Sequence, residues 1–219
     1  MAMSAGEDNA APVVYVVDDD AGICSSLDML LRSVGWQVRT FASTAEFRAN
    51  HFEQRPGCLV LDVRLRGESG LVFQQQSYDR PTVPIIFMTG FADVDICKRA
   101  MKGGAIDFLV KPFADQELID AVSAALLIDE KRRAADKVRG ELRSAYELLT
   151  PRERQVLSHV ISGAQNKHIA LHLGLSLITV KLHRAAVMRK MNASSLAELV
   201  RKATALELSE APLLRAVSG

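Results

Sequence analysis

The sequence predicts an α/β fold: a doubly wound, five-stranded parallel sheet joined by a long helical linker to a second, all-α domain. Three observations carry that expectation. Short apolar, largely β-branched runs recur at residues 13–17, 58–61, 84–88 and 106–110. Such runs suit strands covered on both faces, as parallel strands are. Helical patterns alternate with them over the first half, as expected of β-α units. Past about residue 115 the strand signals stop, and apolar residues recur only at three- and four-residue steps.

Each element has its own reason. After the first strand, Ile23, Leu27, Leu30 and Leu31 share one helical face, and Gly35 closes that helix. A second strand near residues 36–41 leads to a helix starting at Ser43, with Glu46 placed for a capping box. The third strand ends at Asp62. Gly70 opens a third helix through about Tyr78, and Pro81 and Pro84 punctuate the path to the fourth strand. Residues 92–103 and 115–128 supply two more helices. Five β-α units read as one sheet in the flavodoxin-like strand order.

From Asp115 the helical pattern hardly stops until Leu149, its apolar stripe interrupted near Arg132, and reads as the fifth helix extending into a long linker helix. Its stripe of Leu118, Val122, Ala125, Ile128, Ala135, Val138, Leu142, Ala145 and Leu149 is thin and Ala-rich. It fits either a short coiled coil with a second copy or a helix lying on its own domain. Thr150, Pro151 and Glu153 then make an N-cap, a first-turn proline and a capping box. That helix runs to about Ser162. A short one covers residues 167–173 and stops at Gly174. Another starts at Ser176 or Thr179 and reaches Met191, and a last one starts at Ser194 or Ser195 and reaches about Leu206. Four short helices with glycine-marked turns match a helix-turn-helix unit with a supporting helix. The expected divisions are an N-terminal extension without fixed structure (1–11), a sheet domain (12–126), a helical linker (127–148), the helical domain (149–206) and a tail (207–219).

Composition narrows the function. The chain has 219 residues, of which 48% are hydrophobic, and no apolar run approaches a membrane span. The first dozen residues show no basic and apolar export signal. Cys24, Cys58 and Cys97 lack metal-ligand spacing and are odd in number, so a reducing cytoplasm is expected. The net charge of +1 conceals a division. Residues 1–125 hold 11 Lys and Arg against 17 Asp and Glu, whereas residues 126–219 hold 16 against 9. The basic half is a candidate for binding a polyanion.

Asp18, Asp19, Asp62, Thr89 and Lys111 each follow or end an apolar run. In an open parallel sheet, ligands bind at the carboxyl ends of the strands. These residues therefore converge, and three carboxylates, a hydroxyl and an ammonium can hold a hard divalent cation and a phosphoryl group.

The strings Val16-Val17-Asp18-Asp19, Leu61-Asp62, Met88-Thr89-Gly90 and Lys111-Pro112-Phe113 resemble the receiver domain of two-component response regulators. Leu149-Thr150-Pro151-Arg152-Glu153, Asn166-Lys167-His168-Ile169-Ala170 and Thr179-Val180-Lys181-Leu182-His183 resemble the LuxR-type helix-turn-helix of the NarL/FixJ family. The long linker and the Lys-Pro-Phe string resemble the FixJ branch. Together these strings span about residues 12–206.

The resemblance implies a transcriptional regulator rather than an enzyme. Asp62 would be the phosphoacceptor for a sensor histidine kinase. Asp19, Asp62 and the main-chain carbonyl of Arg64 would ligate Mg²⁺ or Mn²⁺, and Asp18 would act through a bound water. Lys111 and Thr89 would contact phosphoryl oxygens, and Phe108 would be the switch aromatic. Asp20 has no such role and is expected to cap a helix. Phosphorylation would promote a homodimer that binds promoter double-stranded DNA and engages RNA polymerase, with no membrane partner. One departure stands out: Arg66 occupies the usual proline position four residues after the phosphoacceptor, which is expected to loosen the loop carrying Arg64.

In the second domain, Lys181, Leu182 and Ala185 would face base edges in the major groove. Thr179, His183, Arg184, Asn166, Lys167 and Lys190 would contact phosphates. Arg152 and Glu153 are expected to hold the helices together. Two other readings remain. One is a constitutive DNA-binding protein with an unused receiver. The other is a phosphatase using the Asp-x-Asp of Asp18 and Asp20.

Overall fold

A computed structural model of the chain describes residues 11–50, 55–76, 83–91 and 93–206. Most of the expected N-terminal extension, the end of the third helix near Tyr78, Pro81, Ala92 and the tail lie outside the described residues. The first unit runs β1 (Val13–Val17), α1 (Ala21–Ser33), β2 (Gln37–Phe41), α2 (Thr44–Ala49) and β3 (Gly57–Asp62). It continues through β4 (Arg64–Leu65), β5 (Glu68–Ser69), α3 (Gly70–Gln76), β6 (Ile85–Thr89), α4 (Val94–Lys102) and β7 (Asp107–Val110). Then come α5 (Asp115–Glu147), α6 (Pro151–Ile161), α7 (Asn166–Leu173), α8 (Leu177–Lys190) and α9 (Leu196–Ala205).

Every residue of β1 and β3 is buried, because each strand has a parallel neighbour on both sides and helices on both faces. The sheet order is β2-β1-β3-β6-β7, all parallel. This is the order expected, with the direction of winding reversing between β1 and β3. Alternation along the strands then sorts their side chains into two layers. Val14, Val16, Cys58, Val60, Ile86 and Met88 pack with residues of α1 and α5, including Leu27, Leu31, Leu118 and Val122. Val13, Tyr15, Val17, Leu59, Leu61 and Phe87 pack on the other side with Phe47, Leu71, Phe73 and Ala100.

Local detail adds a hairpin after β3 and corrects the cap expected at α2. The loop after β3 is closed as a two-stranded hairpin, β4 with β5, pairing Arg64 with Ser69 and Leu65 with Glu68. Its turn is Arg66-Gly67, and Gly67 takes a φ of 88°, which glycine adopts at little cost. Backbone pairing thus closes the loop that carries Arg66. At α2, Ser43 Oγ accepts from the Glu46 amide, but Glu46 returns its bond to the amide of Ala42 instead of Ser43. Helix α5 is continuous over 33 residues, as expected of a fifth helix that runs on into a linker helix.

The sheet-facing stripe of α5 also differs from the expected one. Leu118, Val122, Ala125 and Leu126 are buried, and the next position on that face is Asp129, fully buried, while Ile128 is 44% exposed. Asp129 is neutralised where it sits. Its carboxylate accepts the Gly57 amide at 2.9 Å, Arg132 at 2.5 Å and Arg133 Nε at 2.6 Å. Three charge-assisted bonds offset the cost of burying the group.

The chain divides into two compact units at residues 133 and 134, within α5. In the second unit, Leu149, Val156, Leu157, Ile169, Val180, Val187, Met191 and Leu199 form one core beneath α6 to α9. The caps are as the sequence indicates. Thr150 and Glu153 make a full capping box at α6, Ser176 caps α8, and Ser195 caps α9. Gly174, in the left-handed region at φ 64°, ends α7 and allows the turn into α8.

Candidate functional site

Asp18 leaves the end of β1 with its amide bonded to the Phe41 carbonyl of β2. Its side chain is nearly sealed from solvent and accepts the Asp20 amide at 2.9 Å and Lys111 Nζ at 2.6 Å. Asp62 ends β3. One of its carboxylate oxygens accepts the Arg64 amide at 2.9 Å, and the other accepts Lys111 Nζ at 2.8 Å. Lys111 can reach both because its own amide bonds the Thr89 carbonyl at 2.7 Å, extending the β6–β7 pairing one residue past the strand. Residues from β1, β3 and the end of β7 thus share one ammonium.

Charge and burial pull against each other here. Burial raises the Asp18 carboxyl above its ordinary range, opposed by Lys111 and the Asp20 amide. For Lys111, burial favours the neutral amine, but its bonds to Asp18 and Asp62 outweigh that and hold the ammonium above its usual value.

Asp19 lies beside this pair, its side chain 22% exposed, and Arg66 Nε reaches its carboxylate at 2.8 Å. Arg64 crosses the ring of Phe91 at 5.3 Å. Thr89 is buried at the end of β6, and its hydroxyl exchanges 3.3 Å bonds with the backbone of Phe91. Phe108, on β7, is half-buried against the second core layer. Asp20 stands apart: its carboxylate caps α1 through the amides of Gly22 and Ile23. Gly70 lies under the site, where a Cβ would sit 2.5 Å from the Asp62 carbonyl oxygen. Only glycine lets α3 start that close to the end of β3.

The donor set is hard oxygen throughout, which suits Mg²⁺ or Mn²⁺. No group of three acidic, His or Cys side chains forms a ready-made cage among the described residues. Mg²⁺ does not need one, since it binds through one or two carboxylates and keeps several waters. Asp19 and Asp62, with the Arg64 carbonyl on the β4 side, fit that requirement.

On the second unit, Lys181, Leu182 and Ala185 are exposed on α8, with Leu182 at 66%. Lys167 is exposed at the start of α7, and His183 is partly exposed. Thr179 and Ser176 share a 2.8 Å hydroxyl contact at the start of α8. Arg184 donates to Asn166 at 2.7 Å, tying α8 to α7. Lys190 is the exception among the expected phosphate contacts. Its ammonium turns inward to Glu153 at 2.7 Å and the Leu148 carbonyl at 3.1 Å. That bond, more than any other contact, holds the Glu153 carboxyl below its ordinary range. The pairing of Lys190 with Glu153, 37 residues away, escaped sequence reading because nothing local marks it. The Arg66–Asp19 pair was hidden in the same way.

Residues 14–123 match the family described as response regulator receiver domain, and residues 147–203 match bacterial regulatory proteins, luxR family. Nodulation protein W of Bradyrhizobium diazoefficiens is 48% identical over 204 residues, covering 93% of this chain and 90% of its own. Response regulator protein TodT of Pseudomonas putida is 42% identical, covering 87% and 85%. The transcriptional regulatory protein FixJ of Bradyrhizobium diazoefficiens is 39% identical, covering 87% and 93%. Among solved structures, response regulator StyR superposes with a TM-score of 0.80 at 43% identity, covering 89% of this chain and 99% of its own. The chain therefore belongs to the two-component response regulators, as a receiver domain joined to a LuxR-type helix-turn-helix DNA-binding domain.

Proposed function

We propose that Asp62 is the phosphoacceptor, that a sensor histidine kinase is the donor, and that phosphorylation favours a homodimer on promoter double-stranded DNA. The observation that carries this reading is Lys111, whose single ammonium bonds both Asp18 and Asp62 at the mouth of the sheet. An Asp62 oxygen attacks phosphorus, the bond to the donor imidazole breaks, and the imidazole leaves with its electron pair. Lys111 balances charge on the incoming phosphoryl oxygens, and Asp18 keeps Lys111 in place. A divalent cation held by Asp19, Asp62 and the Arg64 carbonyl, with Asp18 acting through water, would neutralise the approaching anions. Thr89 then gives up its bonds to Phe91 for a phosphoryl oxygen, and Phe108 repacks inward. Added charge at one site thereby changes a packed surface.

The exposed α8 residues Lys181, Leu182 and Ala185 read bases in the major groove, while Lys167, Arg184, Asn166, Thr179 and His183 hold phosphates. Lys190 is no longer assigned to DNA. RNA polymerase is the partner at the promoter, which places the work in the cytoplasm; among the described residues no helix is long and apolar enough to cross a membrane. The phosphatase alternative needs Asp20 as a free acid, whereas its carboxylate is engaged by two helix amides.

The test is an intact-mass measurement after incubation with Mg²⁺ and a small acyl phosphate, followed by DNA binding. Wild type is expected to gain one phosphoryl group and bind DNA more tightly, and Asp62→Asn to do neither. Equal DNA binding by both proteins, with no added mass, would establish the constitutive reading instead.

A further inference from the structure

The three carboxylates of the site are met by two different cations. Lys111 takes Asp18 and Asp62, both in buried surroundings. Asp19 has Arg66, which comes from the turn of the β4–β5 hairpin at 2.8 Å with its own side chain 89% exposed. The other arginine of that hairpin, Arg64, is placed over Phe91. Asp19 is the most solvent-open of the three acids, and so the one through which a cation from bulk water would enter.

We propose that Arg66 is a resident counter-cation for Asp19, a positioning residue that the divalent ion must displace. This rests on the reading of Asp19 as a metal ligand. The same carboxylate cannot give its full charge to a guanidinium and to a metal ion at once, so binding is an exchange. Displacement costs little, because an exposed guanidinium is readily rehydrated and its pair is screened by salt. The consequence is a receiver whose metal affinity is set lower by its own sequence, because each acid of the site already has a cationic side chain.

Calorimetric titration of the full-length protein with MgCl₂ alone tests this. At low ionic strength Arg66→Gln is expected to bind Mg²⁺ about 2- to 5-fold more tightly than wild type, the size of effect an exposed ion pair supports. Arg66→Lys, which keeps the charge, is expected to stay close to wild type. The difference between Arg66→Gln and wild type is expected to shrink towards nothing at about 1 M salt, where the screening length is about 3 Å. Equal affinities for wild type and Arg66→Gln would overturn the proposal. So would an equal shift in Arg66→Lys and Arg66→Gln, which would assign the effect to hairpin shape instead of charge. Asp19→Asn separates the two levels of the argument. If it binds Mg²⁺ as wild type does, or if none of the proteins binds the ion, the metal-ligand reading itself fails.

Discussion

Gly70 and Lys190 show how single residues serve the two units, and each makes a distinct prediction. A methyl group on Gly70 would meet the Asp62 carbonyl oxygen at 2.5 Å, with Leu61 and Phe87 also close. A backbone oxygen cannot swing aside, so α3 or the end of β3 has to shift. Gly70→Ala is expected to cost about 1–3 kcal/mol, the usual range for overpacking. Urea unfolding measures that loss, and phosphoryl uptake from an acyl phosphate is expected to slow with it. Lys190→Ala removes the cation paired with a Glu153 carboxyl that is almost wholly covered, leaving it the Thr150 cap. It is expected to destabilise the C-terminal unit by about 1–3 kcal/mol, the cost of removing a hydrogen bond between charged groups from a covered carboxylate. A phosphate contact would behave differently: DNA affinity would fall at unchanged thermal stability. Melting and DNA titration of the same variant decide between the two.

Among the elements, what could be read in advance depended on whether the signal was local. The buried strands announced themselves because a run such as Val13 to Val17 has no polar face to offer, and the caps because Thr150, Ser176 and Ser195 act within three residues of themselves. The β4–β5 hairpin has two-residue strands, too short for any periodicity, so its order became visible only through pairing. Helix α5 hid its main anchor for another reason. Asp129 sits in a run of charged residues and resembles a solvated face, yet the start of the central strand β3 supplies the Gly57 amide from 72 residues away. Asp129→Ala is expected to leave that amide unpaired and to cost about 1–3 kcal/mol, because Arg132 and Arg133 are partly exposed and can turn to water. Hydrogen exchange at the Gly57 amide is the direct check, and it is expected to accelerate. If it stays as protected as in wild type, the anchor lies elsewhere along α5.

Across the whole molecule the two units carry charge in different ways, and pH separates them. The convergence of Asp18, Asp62 and Lys111 was legible because parallel strands must deliver their ends to one edge, whereas the choice of Arg66 and Lys190 as internal partners was not. In the C-terminal unit two carboxyls are held below their ordinary value of 4.5. Glu198 is brought to about 2, chiefly by its bond to Lys202 and then by Ser194. Glu153 is lowered chiefly by Lys190, and the Thr150 cap adds to this. Both acids are harder to protonate in the folded state than in the unfolded chain. Their contribution to stability is therefore complete above pH 4.5 and is lost as pH falls below it, in the case of Glu198 towards about 2. The single tryptophan, Trp36, packs in the N-terminal unit, so its fluorescence follows that unit alone, while far-ultraviolet circular dichroism follows both. The component of melting without a fluorescence change is expected to move to lower temperature between pH 4.5 and 2. A variant with both Glu153→Gln and Glu198→Gln removes the two groups. It is expected to melt lower than wild type at neutral pH and to show a flatter acid limb, so that the two curves approach each other near pH 2. Parallel curves would mean that other acids govern the acid stability of this unit.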